Sequence, residues 1–414
     1  MNNLNKLYKC FATTNRGLEQ VLSEEFSSLG AINIEIVVSG ILFEATMQTV
    51  MQLNLHSRLA SRIMLQLISD DYYNENDIYS LAYSINWDEW FTVDHNTIKV
   101  SSSAIKSPLR SLNFVTLKVK DAICDKFVSK YHKRPDVDKK NPTMRIYLFL
   151  NEKTATIYLD TSGEALFKRM YRNNKLEAPI RENLAAGLLR LTNWTPNSIL
   201  YDPMCGSGTI VIEAILMGLN IPVGLNRKFA FMHFVFFNKM QVAWQDMLNI
   251  AKQSINYAQN LKIFASDIDS MAIKSATENL NNLSLLKYIT IVTGDFLKNP
   301  LTNDISKAYS TISNSDLNSS DTTSNVSPAI MLTNPPYGVR LDINDVNNTL
   351  YEDIASNLKK HYANWDCYFI TADLDLPKFM RLKPSRKIPV MNADLDCRLF
   401  KFSMVEGSNR KRPQ

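Results

Sequence analysis

From residue 199 onward the chain repeats one pattern: a short unbroken apolar run, a turn, then a helical stripe. Ile199-Leu200-Tyr201-Asp202 passes through a glycine turn into a helix over 209–216. Ile263-Phe264-Ala265-Ser266-Asp267 precedes a helix over 271–283, and Ile289 to Thr293, Ile330 to Thr333 and Cys367 to Thr371 supply further runs. A strand wetted on one face alternates apolar and polar residues, whereas one that is apolar throughout must be covered on both faces. Strands of that kind with helices between them form a parallel sheet, because each parallel pair needs a long crossover. The fold class read here is α/β, a doubly wound sheet.

The first 165 residues follow a different rhythm, α+β in style. Tyr8 to Thr13 reads as a strand. Residues 17–29 carry Leu18, Val21, Leu22, Phe26 and Leu29 on one helical stripe. Strands follow over 32–38 and 40–45 around Ser39-Gly40, then a helix over 117–131 and strands over 145–150 and 155–160. Residues 303–327, NDISKAYSTISNSDLNSSDTTSNVS, lack a workable apolar stripe and read as an inserted loop. The tail 406–414 reads as disordered.

A length of 414 residues is too much for one ordinary core and suggests two or three domains. The hydrophobic and charged fractions, 45% and 21%, are those of a folded soluble chain. No apolar run is long enough to span a bilayer, and the first twenty residues show no secretory pattern. Cysteines 10, 124, 205, 367 and 397 are odd in number with no Cys-x-x-Cys pair, which argues against disulfides and zinc and for a cytoplasmic chain. The histidines are scattered without carboxylates or thiols at ligand spacing, so no metal is expected. The net charge of +5 is unevenly spread: residues 99–175 hold 17 basic and 7 acidic side chains. Such a block is the electrostatic footprint of contact with a polyanion.

Two stretches carry chemistry. In YDPMCGSGTIVIEA (201–214) a strand meets its helix through Gly206 and Gly208, which let the backbone turn tightly and approach a ligand at the helix N-terminus. It has neither the Gly-x-Gly-x-x-Gly of dinucleotide sites nor the Lys-Ser/Thr of a P-loop. In LTNPPYGVRL (332–341) a buried strand ends in an amide, two prolines and an aromatic ring.

Together these resemble the class I S-adenosylmethionine-dependent methyltransferases that modify exocyclic amines. SGEALFKRMYR (162–172), APIRENLAAGLLRLTNW (178–194), SDIDSMAI (266–273), NPPYGVRL (334–341) and DLDCRLFKF (394–402) are similar to THUMP-domain RNA methyltransferases, and SLNFVTLKVKDAICDKF (111–127) resembles the THUMP signature. The nearest likeness is to the RlmL family of 23S rRNA guanine-N2 methyltransferases. It implies a ferredoxin-like segment over 1–45, a THUMP RNA-binding domain over 46–165, and a Rossmann-like methyltransferase domain over 166–405. It also implies S-adenosylmethionine as cofactor, RNA as partner (23S rRNA or an assembling large subunit), and no membrane. Asp202, Gly206 and Gly208 would line the cofactor's methionine part, with Cys205 among the cofactor contacts. Asp267 would hold the ribose hydroxyls, with Asp269 as the alternative, and Asp295 the adenine amine. Arg110, Lys118 and Lys120 are the candidate RNA contacts.

The catalytic trio is Asn334, Pro335 and Tyr337. A guanine amine is a poor nucleophile because its lone pair is delocalised into the ring. The Asn334 amide oxygen and the Pro335 carbonyl would accept both its hydrogens, while the prolines hold those acceptors in place and Tyr337 stacks on a flipped base. Guanine-N2 methylation of tRNA, adenine-N6 methylation of DNA and a non-catalytic RNA-binding role are the alternatives. The chain departs from the family pattern at Val339, where relatives often carry Glu, and in the 303–327 insertion. Because it ends soon after Phe402, the second methyltransferase domain of some relatives is not expected.

Overall fold

The computed structural model describes residues 6–172, 180–299, 301–308, 329–336 and 344–405. The chain divides into two compact units. One comprises Met1–Thr14, Leu22–Lys168 and Pro222–Gln253; the other comprises Asn15–Val21, Arg169–Ile221 and Ser254–Gln414.

The first unit is built on an eight-stranded sheet. Its strands are β1 (Leu7–Thr13), β2 (Ile32–Val37), β3 (Gly40–Thr46), β4 (Arg62–Asp71), β5 (Thr97–Ala104), β6 (Asp136–Val137), β7 (Met144–Leu150) and β8 (Thr154–Asp160). They lie in the order β2-β3-β1-β4-β8-β7-β5-β6. In β7, Met-Arg-Ile-Tyr-Leu-Phe-Leu alternates buried and half-buried residues, the period of a sheet packed on one face. The helices are α1 (Glu19–Ser28), which belongs to this unit from Leu22 onward, α2 (Met47–His56), α3 (Glu75–Ser84) and α4 (Leu112–Tyr131). Helix α4 starts five residues before the sequence reading of 117, because Ser111 accepts a hydrogen bond from the Phe114 amide and caps it there.

The aromatic stretch before α7 (Gln241–Gln253) belongs to this core. Phe229 and Phe231 stack with ring centroids 5.2 Å apart, and Trp244 meets both edge-on. Arg227 donates to the carbonyls of Glu164, Ala165 and Lys168. The rings fill a core.

The second unit carries the doubly wound sheet. Its strands are β9 (Leu200–Asp202), β10 (Ile263–Asp267), β11 (Thr290–Thr293), β12 (Ala329–Thr333), β13 (Trp365–Thr371), β14 (Arg386–Asn392) and β15 (Leu395–Ser403), in the order β11-β10-β9-β12-β13-β15-β14. The five strands from β9 to β13 run parallel. The sheet is not parallel throughout: β15 runs antiparallel to β13, and β14 pairs with β15 as a hairpin. The helices are α5 (Glu182–Leu191), α6 (Thr209–Gly218), α8 (Ser270–Asn282), α9 (Asn344–His361) and α10 (Leu376–Phe379). Tyr201, Met331, Ile354, Leu358, Phe369 and Phe400 pack in its core.

The reading of 303–327 as a loop needs correction at its start. Residues 302–308 are helical, and Leu301 and Ile305, one turn apart, are buried in the same core. The remainder of that segment, from 309, lies outside the described residues, as does the tail from 406. Residues 15–21 pack within this unit too: Asn15 Nδ2 donates to the Met391 carbonyl at 3.0 Å.

Candidate active site

β9 sits between β10 and β12, so the chain leaves it in one direction and returns on the other side. That reversal opens a crevice at the carboxyl ends of the strands, the usual ligand site of doubly wound sheets. Here it is a cleft of about 760 Å³.

The turn after β9 forms one wall. Gly206 and Gly208 have φ of +54° and +79°, the left-handed region that glycine enters freely. A Cβ added at Gly206 would meet nothing within 4 Å, so the backbone there faces open space; at Gly208 it would lie 3.1 Å from the Ala276 Cβ. Gly206 therefore serves the cleft, and Gly208 the close approach of α8. The turn is tied to β10 by the Cys205 amide donating to the Ser266 carbonyl at 3.0 Å and the Gly206 amide donating to Asp267 Oδ2 at 2.8 Å.

The lining is acidic. Asp202, Asp267, Asp269 and Asp295 all reach the cleft. Asp202 is fully buried and accepts from Thr333 Oγ1 at 2.8 Å and from the Met204 amide at 3.3 Å. Burial outweighs those bonds and pushes its carboxyl up to about 7. Burial also raises Asp267, although the amides of Gly206 and Asp269 hold its two oxygens. Asp269 caps α8 through the Met271 amide, and Asp295 accepts from the Leu297 amide. Cys205 lines the cleft, and burial pushes its thiol well up, which favours the neutral thiol over the thiolate.

β12 supplies the opposite wall. Asn334 and Pro336 line the same cleft as the glycine turn, while Pro335 is buried. The Pro336 carbonyl accepts from the buried Tyr351 hydroxyl of α9 at 3.3 Å. Leu350, Ile354 and Ile180 add apolar surface, and Ile268 lines the cleft with 72% of its surface exposed. Tyr337 and Val339 lie outside the described residues. Ile268 and Thr333 were not singled out from sequence, whereas Pro336 was read only as part of the rigid corner. Only the exposed isoleucine between two aspartates carried a signal that could have been read.

The basic candidates lie in the first unit. Arg110 is exposed just before α4. Lys118 Nζ lies 3.3 Å from Asn76 Oδ1 and over the Tyr79 and Phe114 rings, and Lys120 Nζ lies 2.7 Å from Asp121 Oδ1. Among the described residues no group of three His, Cys, Asp or Glu could hold a metal ion, and no helix is long and apolar enough to cross a membrane.

Residues 169–315 and 305–401 match the family model of the RMKL-like methyltransferase domain. The chain belongs to that family. Its amino-terminal part matches the RlmL ferredoxin-like domain over 9–64 and the THUMP domain over 72–160. It is 32% identical over 410 residues to the ribosomal RNA large subunit methyltransferase K/L of Shewanella amazonensis, covering 98% of this chain and 54% of that protein. The chain thus spans about half the length of the curated relatives it matches. Among solved structures, SMU.472, described as a methyltransferase and complexed with SAH, is 26% identical with a TM-score of 0.82, over 98% of this chain and 100% of that one. A predicted N6-adenine-specific DNA methylase from Listeria monocytogenes is 27% identical with a TM-score of 0.80, over 96% and 97% of the two chains.

Proposed function

We infer that the protein transfers a methyl group from S-adenosylmethionine to the N2 amine of a guanosine in large-subunit rRNA. The observation that carries this is the shared cleft: Asn334 faces the same space as Asp202, Gly206 and Asp267. SAH, bound in the structural relative SMU.472, is what S-adenosylmethionine becomes on losing its methyl group.

The lining suits that cofactor. Open space beside Gly206 admits a ligand against the backbone. Asp202 and the neighbouring carboxylates oppose the positive charge of a sulfonium and an ammonium. Asp267, its oxygens oriented by two amides, has lone pairs left for both ribose hydroxyls. Ile268 offers an apolar face to a flat ring, and Asp295, on the same lining, accepts from the adenine amine in this reading. When bound, S-adenosylmethionine supplies an electrophilic methyl group.

On the acceptor side, the Asn334 amide oxygen and the Pro335 carbonyl take the two amine hydrogens and turn the nitrogen lone pair toward the donor. The amine becomes acidic only as it is alkylated, so its proton leaves late and no strong base is required. The rest is alignment, worth several powers of ten in rate when donor and acceptor are held in line. Tyr337 stacks on the extruded base. The THUMP match and the basic block support an RNA substrate, with Arg110, Lys118 and Lys120 as phosphate contacts.

Purified protein, labelled S-adenosylmethionine and undermethylated ribosomal RNA test this directly. Digestion should yield labelled N2-methylguanosine. Label on tRNA guanosine, or on N6 of adenine in DNA, as the name of the Listeria relative suggests, would replace the reading.

A further inference from the structure

We propose that Thr333 is a positioning residue for methyl transfer: its hydroxyl ties the wall that presents the acceptor to the wall that holds the methyl donor. This rests on the reading of Asn334 given above.

The main-chain ladder between β12 and β9 registers Ile330 opposite Leu200 and Met331 opposite Tyr201. Past that register, the strand ends are joined by Thr333 Oγ1 donating to Asp202 Oδ1 at 2.8 Å. Each partner is the last residue of its strand. Asp202 opens the glycine turn, and Thr333 directly precedes Asn334. On its other flank the turn is held by main-chain amides, from Cys205 to Ser266 and from Gly206 to Asp267. Toward β12 the tie is a side-chain bond, between residues only 1% and 0% exposed, so water does not compete for it.

The consequence is geometric. Asn334 is followed by two prolines whose φ is fixed, so the corner moves as a rigid piece. The far end of that piece is held by Tyr351 at the Pro336 carbonyl, the near end by Thr333. Releasing the near end lets Asn334 drift relative to the turn without removing any group that touches substrate or cofactor. A misplacement near 1 Å costs on the order of 100-fold in rate.

Thr333→Val keeps the shape and removes the donor; Thr333→Ser keeps the donor and loses a methyl group. At about pH 8.5, where loss of the Thr333 bond no longer decides whether Asp202 is ionised, the proposal expects the single-turnover rate of Thr333→Val to fall about 10–100-fold while its cofactor Kd, by calorimetry, stays within about threefold, and Thr333→Ser to stay within about threefold of wild type in both. Wild-type rates in Thr333→Val would overturn it. So would a serine variant as slow as the valine one, which would assign the effect to packing, or a loss of cofactor affinity that matches the loss of rate. Should Thr333→Val fail to fold, Thr333→Ala against Thr333→Ser carries the same comparison. Asn334→Ala, run alongside, separates the two ideas. Full turnover there would end the reading of Asn334, whereas an inactive Asn334→Ala with a fully active Thr333→Val would end only this one.

Discussion

At the residue scale the distinctive feature is a carboxyl held near neutrality. Burial pushes Asp202 up to about 7, so in the free protein it favours the protonated form at a pH where exposed carboxyls are charged, and burial raises Asp267 in the same direction. Raised carboxyls stabilise the fold less as pH climbs through their folded-state values. A cationic cofactor reverses that balance by favouring the ionised forms. Cofactor affinity should therefore rise with pH up to about 7, by at most about tenfold per unit for Asp202, and level off above, with proton release on binding in the rising range. Calorimetry in buffers of different ionisation enthalpy reads this, and a flat profile would contradict it. Gly206→Ala belongs at the same scale. Its Cβ meets nothing in the protein but occupies cleft space, so affinity should fall about tenfold or more while stability drops by only about 1 kcal/mol, the strain of a left-handed alanine. That Gly206, Asp267 and Asn334 share a cleft was legible, because a glycine turn, an aspartate ending a strand and an amide before two prolines are distinctive in sequence. Thr333 was not, because a threonine ending a strand is ordinary, and only its distance to Asp202 gives it meaning.

Among elements, the parallel strands and their helices were readable because unbroken apolar runs and helical stripes record burial directly. β9, β12 and α6 lie within a residue or two of their expected positions. The β14–β15 hairpin escaped because both strands, β14 at the sheet edge and β15 beside it, mix polar and apolar residues. Leu395 to Ser403 intersperses half-buried Arg398 and Lys401 with buried Cys397, Leu399, Phe400 and Phe402. The helix over 302–308 was missed because two apolar residues sufficed to dock one turn. Nor could the sequence reveal that residues 15–21 pack beside β14. Gly17 sits there with φ +96°, and a Cβ would lie 2.2 Å from the Pro389 carbonyl oxygen. Gly17→Ala combines a strained backbone with a clash against main chain and should cost at least about 2 kcal/mol. Denaturant unfolding would show it as a lower midpoint, and an unchanged midpoint would mean that the strap moves freely.

For the whole molecule the relevant property is charge. The basic block in residues 99–175 accompanies a cleft lined by four aspartates, so on the proposed function polyanion contact and cofactor binding would fall to different residues. Composition made that division visible, but it could not say which cations are engaged within the protein. Lys120 lies against Asp121 and Lys118 against Asn76, while Arg110 is exposed. Reversing Arg110 to Glu should weaken RNA binding and lower the salt slope by about one, with smaller changes at Lys120. Equal slopes in all variants would place RNA on another surface.

The central claim is that Asn334 acts on the amine and not on the cofactor. Asn334→Ala should lower kcat by about 100–1,000-fold or more, since a hydrogen bond that strengthens only as the amine reacts is worth that much, with cofactor Kd within about twofold of wild type. A fall in affinity that accounts for the lost rate would contradict the account.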